Sequence, residues 1–197
     1  MAPPILFNRT AQEEAFPTGM NIPNSLTLLR ILLIPVYIGL LVYEQFDQAL
    51  MVLLAAGVTD ALDGTIARAA NQKTRLGAFL DPLADKLLLT SGFITLSTIH
   101  AIPSWVTILV VSRDVMLLLG TAVAQLTETE IDITPTFLGK GTTFLQLSYV
   151  LLVIFLSSRQ MDLWLLSPLL IGMVAFTVSS GCHYLYRGYR SAGSTPS

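Results

Sequence analysis

Asp60 and Asp63 stand three residues apart, and Asp81 and Asp85 four apart, within the stretch TDALDGTIARAANQKTRLGAFLDPLADK. On helices those spacings place each pair on one face. Two acidic faces at the ends of consecutive helices can converge, and four carboxylates gathered in a low-dielectric setting repel unless positive charge compensates. Hard divalent cations with oxygen ligands supply that charge, so a Mg2+ or Mn2+ site is the economical reading. The plainer alternative makes the aspartates solvated caps and loop charges. Their flanks argue against it, because Asp60 comes just after the apolar run MVLLAAGV and Asp85 just before LLL. Ionisable groups at membrane depth are costly and usually functional. Gly64, directly after Asp63, offers a point where a ligand's phosphates can approach the backbone, or simply room for helix packing.

The elements that must hold these carboxylates are membrane helices. The chain is 53% hydrophobic and 12% charged, with a mean hydropathy of +0.66, whereas soluble domains carry roughly 25% charged residues. Hydropathy predicts six transmembrane helices, near residues 26–43, 49–70, 82–99, 104–126, 137–156 and 163–186. All are expected to be helical, since lipid tolerates no open sheet edge. Polar or proline-bearing breaks separate them: YEQFDQ, HAIPS, TETEIDITP and SSRQMD. Arg30, Arg68, Lys73, Arg75, Lys86, Lys140, Arg187 and Arg190 gather at one set of helix ends, against Arg159 alone in the opposite loops. The positive-inside rule makes the basic side cytoplasmic, so the aspartates open onto a polar, cytoplasm-facing cavity.

Other features bound the function. A net charge of -2 provides no basic field for nucleic acid. One cysteine, Cys182, excludes an internal disulfide, and two histidines cannot build the usual zinc site. Residues 1–20 lack the pattern of a signal or transit peptide and read as a tail or a short interfacial helix. Residues 21–190 form the membrane domain, and 191–197 a small, polar, disordered tail. Trp105 and Trp164 fall near span ends, where interfacial anchoring suits them.

The acidic stretch resembles the signature D-x2-D-G-x2-A-R-x8-G-x3-D-x3-D of the CDP-alcohol phosphotransferase family, met here by Asp60, Asp63, Gly64, Ala67, Arg68, Gly77, Asp81 and Asp85. NIPNSLTLLRILLIP, LDPLADKLL, VSRDVMLLLG and LGKGTT are similar to its phosphatidylglycerophosphate synthase and cardiolipin synthase branches. The resemblance implies two divalent cations, Mg2+ or Mn2+, held by Asp60, Asp63 and Asp81, with Asp85 as general base that also touches the second metal. It further implies that Gly64, Arg68 and Thr74 meet the diphosphate of CDP-diacylglycerol, and that Asn24 and Thr27 approach the cytidine. The expected reaction transfers a phosphatidyl group to glycerol 3-phosphate with release of CMP. Phosphatidylglycerol is the acceptor in the cardiolipin synthase alternative. Homodimers are common in the family, and Gly172 and Gly181 are small enough for close helix approach.

Arg113 and Asp114 interrupt an otherwise apolar fourth span and need partners inside the bundle. Either they neutralise each other or a neighbour such as Arg30, or Arg113 joins Lys140 and Arg187 in clamping the acceptor phosphate, a planar guanidinium offering two parallel contacts. Lys140 alternatively snorkels to headgroups, and Lys86 is read as a signature residue without direct chemistry. Outside the enzyme class, a small transporter using the aspartates as a cation site also explains membrane carboxylates. It does not explain Gly64, Arg68 and Gly77 at fixed spacing.

Overall fold

Once the chain leaves water, each backbone N–H and C=O must find its partner within its own segment, and here that produces an all-helical bundle. The computed structural model describes the backbone of residues 22–70, 75–126 and 137–192, and the side chains of 28–59, 83–120, 139 and 141–184. Among the described residues there are six α-helices and no strand: α1 (Ile22–Val42), α2 (Phe46–Ala70), α3 (Arg75–Thr98), α4 (Ser104–Leu126), α5 (Phe137–Ser158) and α6 (Ser167–Ala192). A short 3-10 turn, Leu163–Leu166, leads into α6, with the Asp162 carboxylate accepting from the Trp164 N–H at 2.8 Å.

The helices match the six expected segments in order, and the fourth in both ends. The clearest shift is in α3, which begins at Arg75 rather than near residue 82 and so takes in Asp81 as well as Asp85. Hydropathy locates the apolar part of a helix and misses a polar first turn. At the other terminus α6 runs to Ala192, so the tail expected from residue 191 starts two residues too early. Alanine is a strong helix former, and a basic residue such as Arg190 is favourable near a helix C-terminus. Residues 1–20 and 193–197 lie outside the described residues.

Two helical stretches among the described residues are long and apolar enough to cross a membrane, Gly141–Ser158 and Leu163–Tyr184. Leu28–Val42 and Phe46–Thr59 are shorter apolar runs, and α3 and α4 carry the ionisable pairs Asp85–Lys86 and Arg113–Asp114. The outer surface is nonetheless apolar: Leu32, Met51, Ile108, Phe144 and Ile171 all stand exposed. A surface of this kind is that of a membrane protein. Trp105 and Trp164 are exposed too, each at the start of its element.

Three connections at one end of the bundle are built alike. Glu44, His100 and Gln160 each take a left-handed φ, of 57°, 61° and 52°. Just after each, an N–H reaches back to the preceding helix: Gln45 to the Leu40 carbonyl at 2.8 Å, Ala101 to Leu96 at 2.9 Å and Met161 to Leu156 at 2.9 Å. This is the Schellman closure, which satisfies carbonyls left over at a helix end. Below these turns α1 packs on α2 and α3, α4 on α3 and α6, and α5 on α2, α3 and α6. Tyr37, Leu41, Leu53, Leu89, Phe93, Val106, Tyr149, Val153 and Met173 fill the space between them, with the Phe93 and Tyr149 rings stacked at 6.4 Å.

Candidate active site

Away from the three turns, the core gives way to charge. Arg30, on α1, is almost fully buried at 1% exposure, and its Nη1 donates to Asp85 Oδ1 on α3 at 2.6 Å. The carboxylate it holds is 49% exposed, so the pair runs from the bundle interior to an accessible face of α3. Lys86, the next residue, leaves α3 in another direction, about 100° around the helix. Its Nζ donates to both carboxylate oxygens of Asp114 on α4, each at 2.9 Å.

Asp114 Oδ1 also accepts from Arg113 Nη1 at 2.8 Å, and Arg113 Nη2 donates to Ser180 Oγ on α6 at 2.9 Å. Arg113 and Asp114 are both buried. Three helices are thus joined by ion pairs, and α6 is tied to them through the Ser180 hydroxyl. Among the described side chains Arg30, Lys86 and Arg113 meet Asp85 and Asp114 there.

Of the four aspartates, Asp85 is the one whose side chain is described. Asp60 and Asp63 lie in the second half of α2, and Asp81 one turn before Asp85 in α3. Both helices run unbroken through these positions, so the three- and four-residue spacings are helical spacings. Oxygen donors of this type suit hard divalent cations; of the four, Asp85 is half exposed and its Oδ1 is held by Arg30. Asn24 and Thr27 fall in α1, Gly64 and Arg68 in α2, Lys140 in α5 and Arg187 in α6. Their side-chain positions, and all of Thr74, are outside the described residues.

For Arg113 and Asp114 the structure selects among the partners that the sequence allows. They pair with each other, while Arg30 goes to Asp85 instead. The residue that sequence reasoning undervalues is Lys86. It reads there as a basic charge on the cytoplasmic side and a signature residue without direct chemistry, yet it closes the Asp114 carboxylate. A signal for it exists, since an ionisable residue inside an apolar helix demands an opposite charge and Asp114 needs one. Sequence reasoning also misses Gln146 on α5. It is fully buried, and neither its amide nitrogen nor its oxygen has a hydrogen-bond partner. Arg113 Nε is in the same condition.

Comparison with known proteins gives this arrangement its class. The family model for CDP-alcohol phosphatidyltransferase matches residues 20–179, and the chain belongs to that family. A probable phosphatidylglycerophosphate synthase of Mycobacterium tuberculosis is 32% identical over 180 residues, covering 88% of this chain and 84% of the relative. The cardiolipin synthase (CMP-forming) of Rattus norvegicus is 45% identical over 118 residues, 59% of this chain. A CDP-diacylglycerol–glycerol-3-phosphate 3-phosphatidyltransferase of Pseudomonas fluorescens is 41% identical over 104 residues, about half of each chain. The matched stretch spans 39% of the rat enzyme and 33% of its human counterpart.

Proposed function

We propose that this membrane protein transfers the phosphatidyl group of CDP-diacylglycerol to glycerol 3-phosphate. The observation that carries the acceptor choice is the near full-length match to the mycobacterial synthase. In the reaction an acceptor hydroxyl oxygen forms a bond to the phosphorus that bears diacylglycerol, and the anhydride P–O bond to CMP breaks. The hydroxyl proton goes to a carboxylate, for which Asp85 on its accessible face is the candidate. Asp60, Asp63 and Asp81, with Asp85, would hold two Mg2+ or Mn2+ ions, whose chemistry is to neutralise charge on the diphosphate and the departing nucleotide.

In this reading Asn24, Thr27, Gly64, Arg68 and Thr74 bind the CDP-lipid, and Lys140, Arg187 and Arg113 meet the acceptor phosphate. Both terminal nitrogens of Arg113 already serve Asp114 and Ser180, so it contributes through its field, or by exchanging one of those bonds. All six helices span the membrane with the charged end toward the cytoplasm. Membership of a phosphatidyltransferase family displaces the transporter reading.

A second acceptor is favoured by a specific observation, the 45% and 48% identities to mammalian cardiolipin synthases over their shorter matches. Labelled CDP-diacylglycerol, offered in turn with glycerol 3-phosphate and with phosphatidylglycerol, separates the two. The first is expected to yield phosphatidylglycerophosphate and CMP; cardiolipin from the second, with no product from the first, rejects the acceptor assignment. Asp60→Asn, Asp63→Asn and Asp81→Asn should each nearly abolish CMP release from folded protein. Full wild-type activity in excess chelator would sink the metal assignment.

A further inference from the structure

Asp85 and Lys86 are neighbours in sequence, and they bind opposite charges on two different helices, Arg30 on α1 and Asp114 on α4. Two turns further along α3, the next pair of neighbours meets the same two helices by other means. A Cβ at Gly92 would lie 2.7 Å from Tyr37 Oη on α1, and the Phe93 carbonyl accepts from Thr107 Oγ1 on α4 at 3.1 Å. The register agrees throughout. From Asp85 to Gly92, Lys86 to Phe93, Arg30 to Tyr37 and Thr107 to Asp114, each step is seven residues, which returns to the same helix face within about 20°.

Thus α3 is held at two levels on the same two faces. At the level nearer the turns, shape does the holding: a glycine against a ring, a threonine on a carbonyl, and a stack between Phe93 and Tyr149. At the charged level, contacts between apolar side chains would resist rotation weakly, because dispersion is non-directional. Ion pairs with hydrogen-bond geometry are directional, and a pair on each of two faces opposes turning in both senses.

We infer that Arg30 and Lys86 are positioning residues that lock the rotation of α3, and so set the angle at which the Asp85 carboxylate is presented. The inference rests on the proposed transferase reading for its catalytic consequence, and on the two ion pairs for the lock itself. Neither residue is required to touch substrate. Lys86 is the cleaner handle, since Asp114 keeps Arg113 when Lys86 is removed and no buried charge is left alone.

The test uses the full chain in detergent, with Arg30→Gln, Arg30→Lys, Lys86→Met, Lys86→Arg and the double variant Arg30→Gln/Lys86→Met. Spin labels at Leu87→Cys on α3 and Ile171→Cys on α6, both exposed positions, in a Cys182→Ser background, report the setting of α3 without metal or substrate. One narrow distance distribution is expected in the parent, and a broad or shifted one in Arg30→Gln and Lys86→Met. In the assay kcat should fall by about 10- to 100-fold in each, the scale of a misplacement near 1 Å. KM for both substrates should stay within about twofold, and the conservative variants should recover part of kcat. Because both pairs act on the setting of the same helix, the double variant should fall by less than the product of the two single losses.

Unchanged distance distributions in folded Lys86→Met overturn the lock, as does kcat within about twofold of the parent. Should Arg30→Gln fail to fold, Lys86→Met decides alone. Failure of the transferase reading looks different: the parent protein releases no CMP, while the spin-label distances still report on α3.

Discussion

The two levels of α3 solve one problem in opposite ways. Near the turns, α3 meets α1 and α4 through close packing, and the chain there closes on itself by backbone hydrogen bonds at Glu44, His100 and Gln160. Seven residues away on the same faces, it meets those helices through Arg30 and Asp114. Packing of the first kind leaves no room for a ligand. The second kind holds helices together through long side chains and leaves Asp85 half exposed. A charged end can be both ordered and open, which a reaction on a diphosphate requires and a close-packed core forbids.

The largest effect should appear where charge is buried. Asp114→Ala leaves Lys86 and Arg113 facing each other without their shared carboxylate, and should cost about 3–5 kcal/mol, the usual penalty for breaking a buried pair. Arg113→Ala should cost less, because Asp114 retains Lys86. Melting temperatures in detergent measure the difference, and equal losses would break the shared-carboxylate account. The same variants sharpen the site. If Arg113 meets the acceptor phosphate, Arg113→Ala raises KM for glycerol 3-phosphate by about tenfold for each 1.4 kcal/mol of binding free energy removed, while KM for CDP-diacylglycerol barely moves.

At the packed level the expected effects are smaller. Gly92→Ala drives a methyl group into Tyr37 Oη and should destabilise by about 1–3 kcal/mol. Tyr37 Oη is buried without a hydrogen-bond partner, so Tyr37→Phe should be neutral or mildly stabilising and should recover much of the loss in the double variant. Thermal unfolding of the four proteins closes this cycle; additivity would mean that the two residues do not meet. Smallest of all, Glu44→Gly and Gln160→Gly should each stabilise by about 1 kcal/mol, since an L-residue in the left-handed region is strained and glycine is not. A loss of stability would show that those side chains contribute more than the turn geometry accounts for.

Among the described residues, the number and order of the helices were legible because hydropathy depends on local composition alone. So was the family, because the signature from Asp60 to Asp85 is local and its spacing suits helices. The helix ends were less legible: α3 starts seven residues before its apolar part, and α6 carries on past residue 190. Lys86 was legible as a signature residue, but its partner was not until the fold set Asp114 opposite it.

What the sequence determined by itself, then, is everything that follows from spacing along one helix: the apolar segments, the paired aspartates, and the need of Arg113 and Asp114 for partners. What only the tertiary structure decided is which charge meets which. Arg30 and Asp85 are 55 residues apart in the chain, and Arg113 and Ser180 are 67 apart. No periodicity within a helix encodes such a pairing. It depends on which helices are neighbours and on how each is rotated and set in depth, and packing across the whole bundle fixes those quantities together.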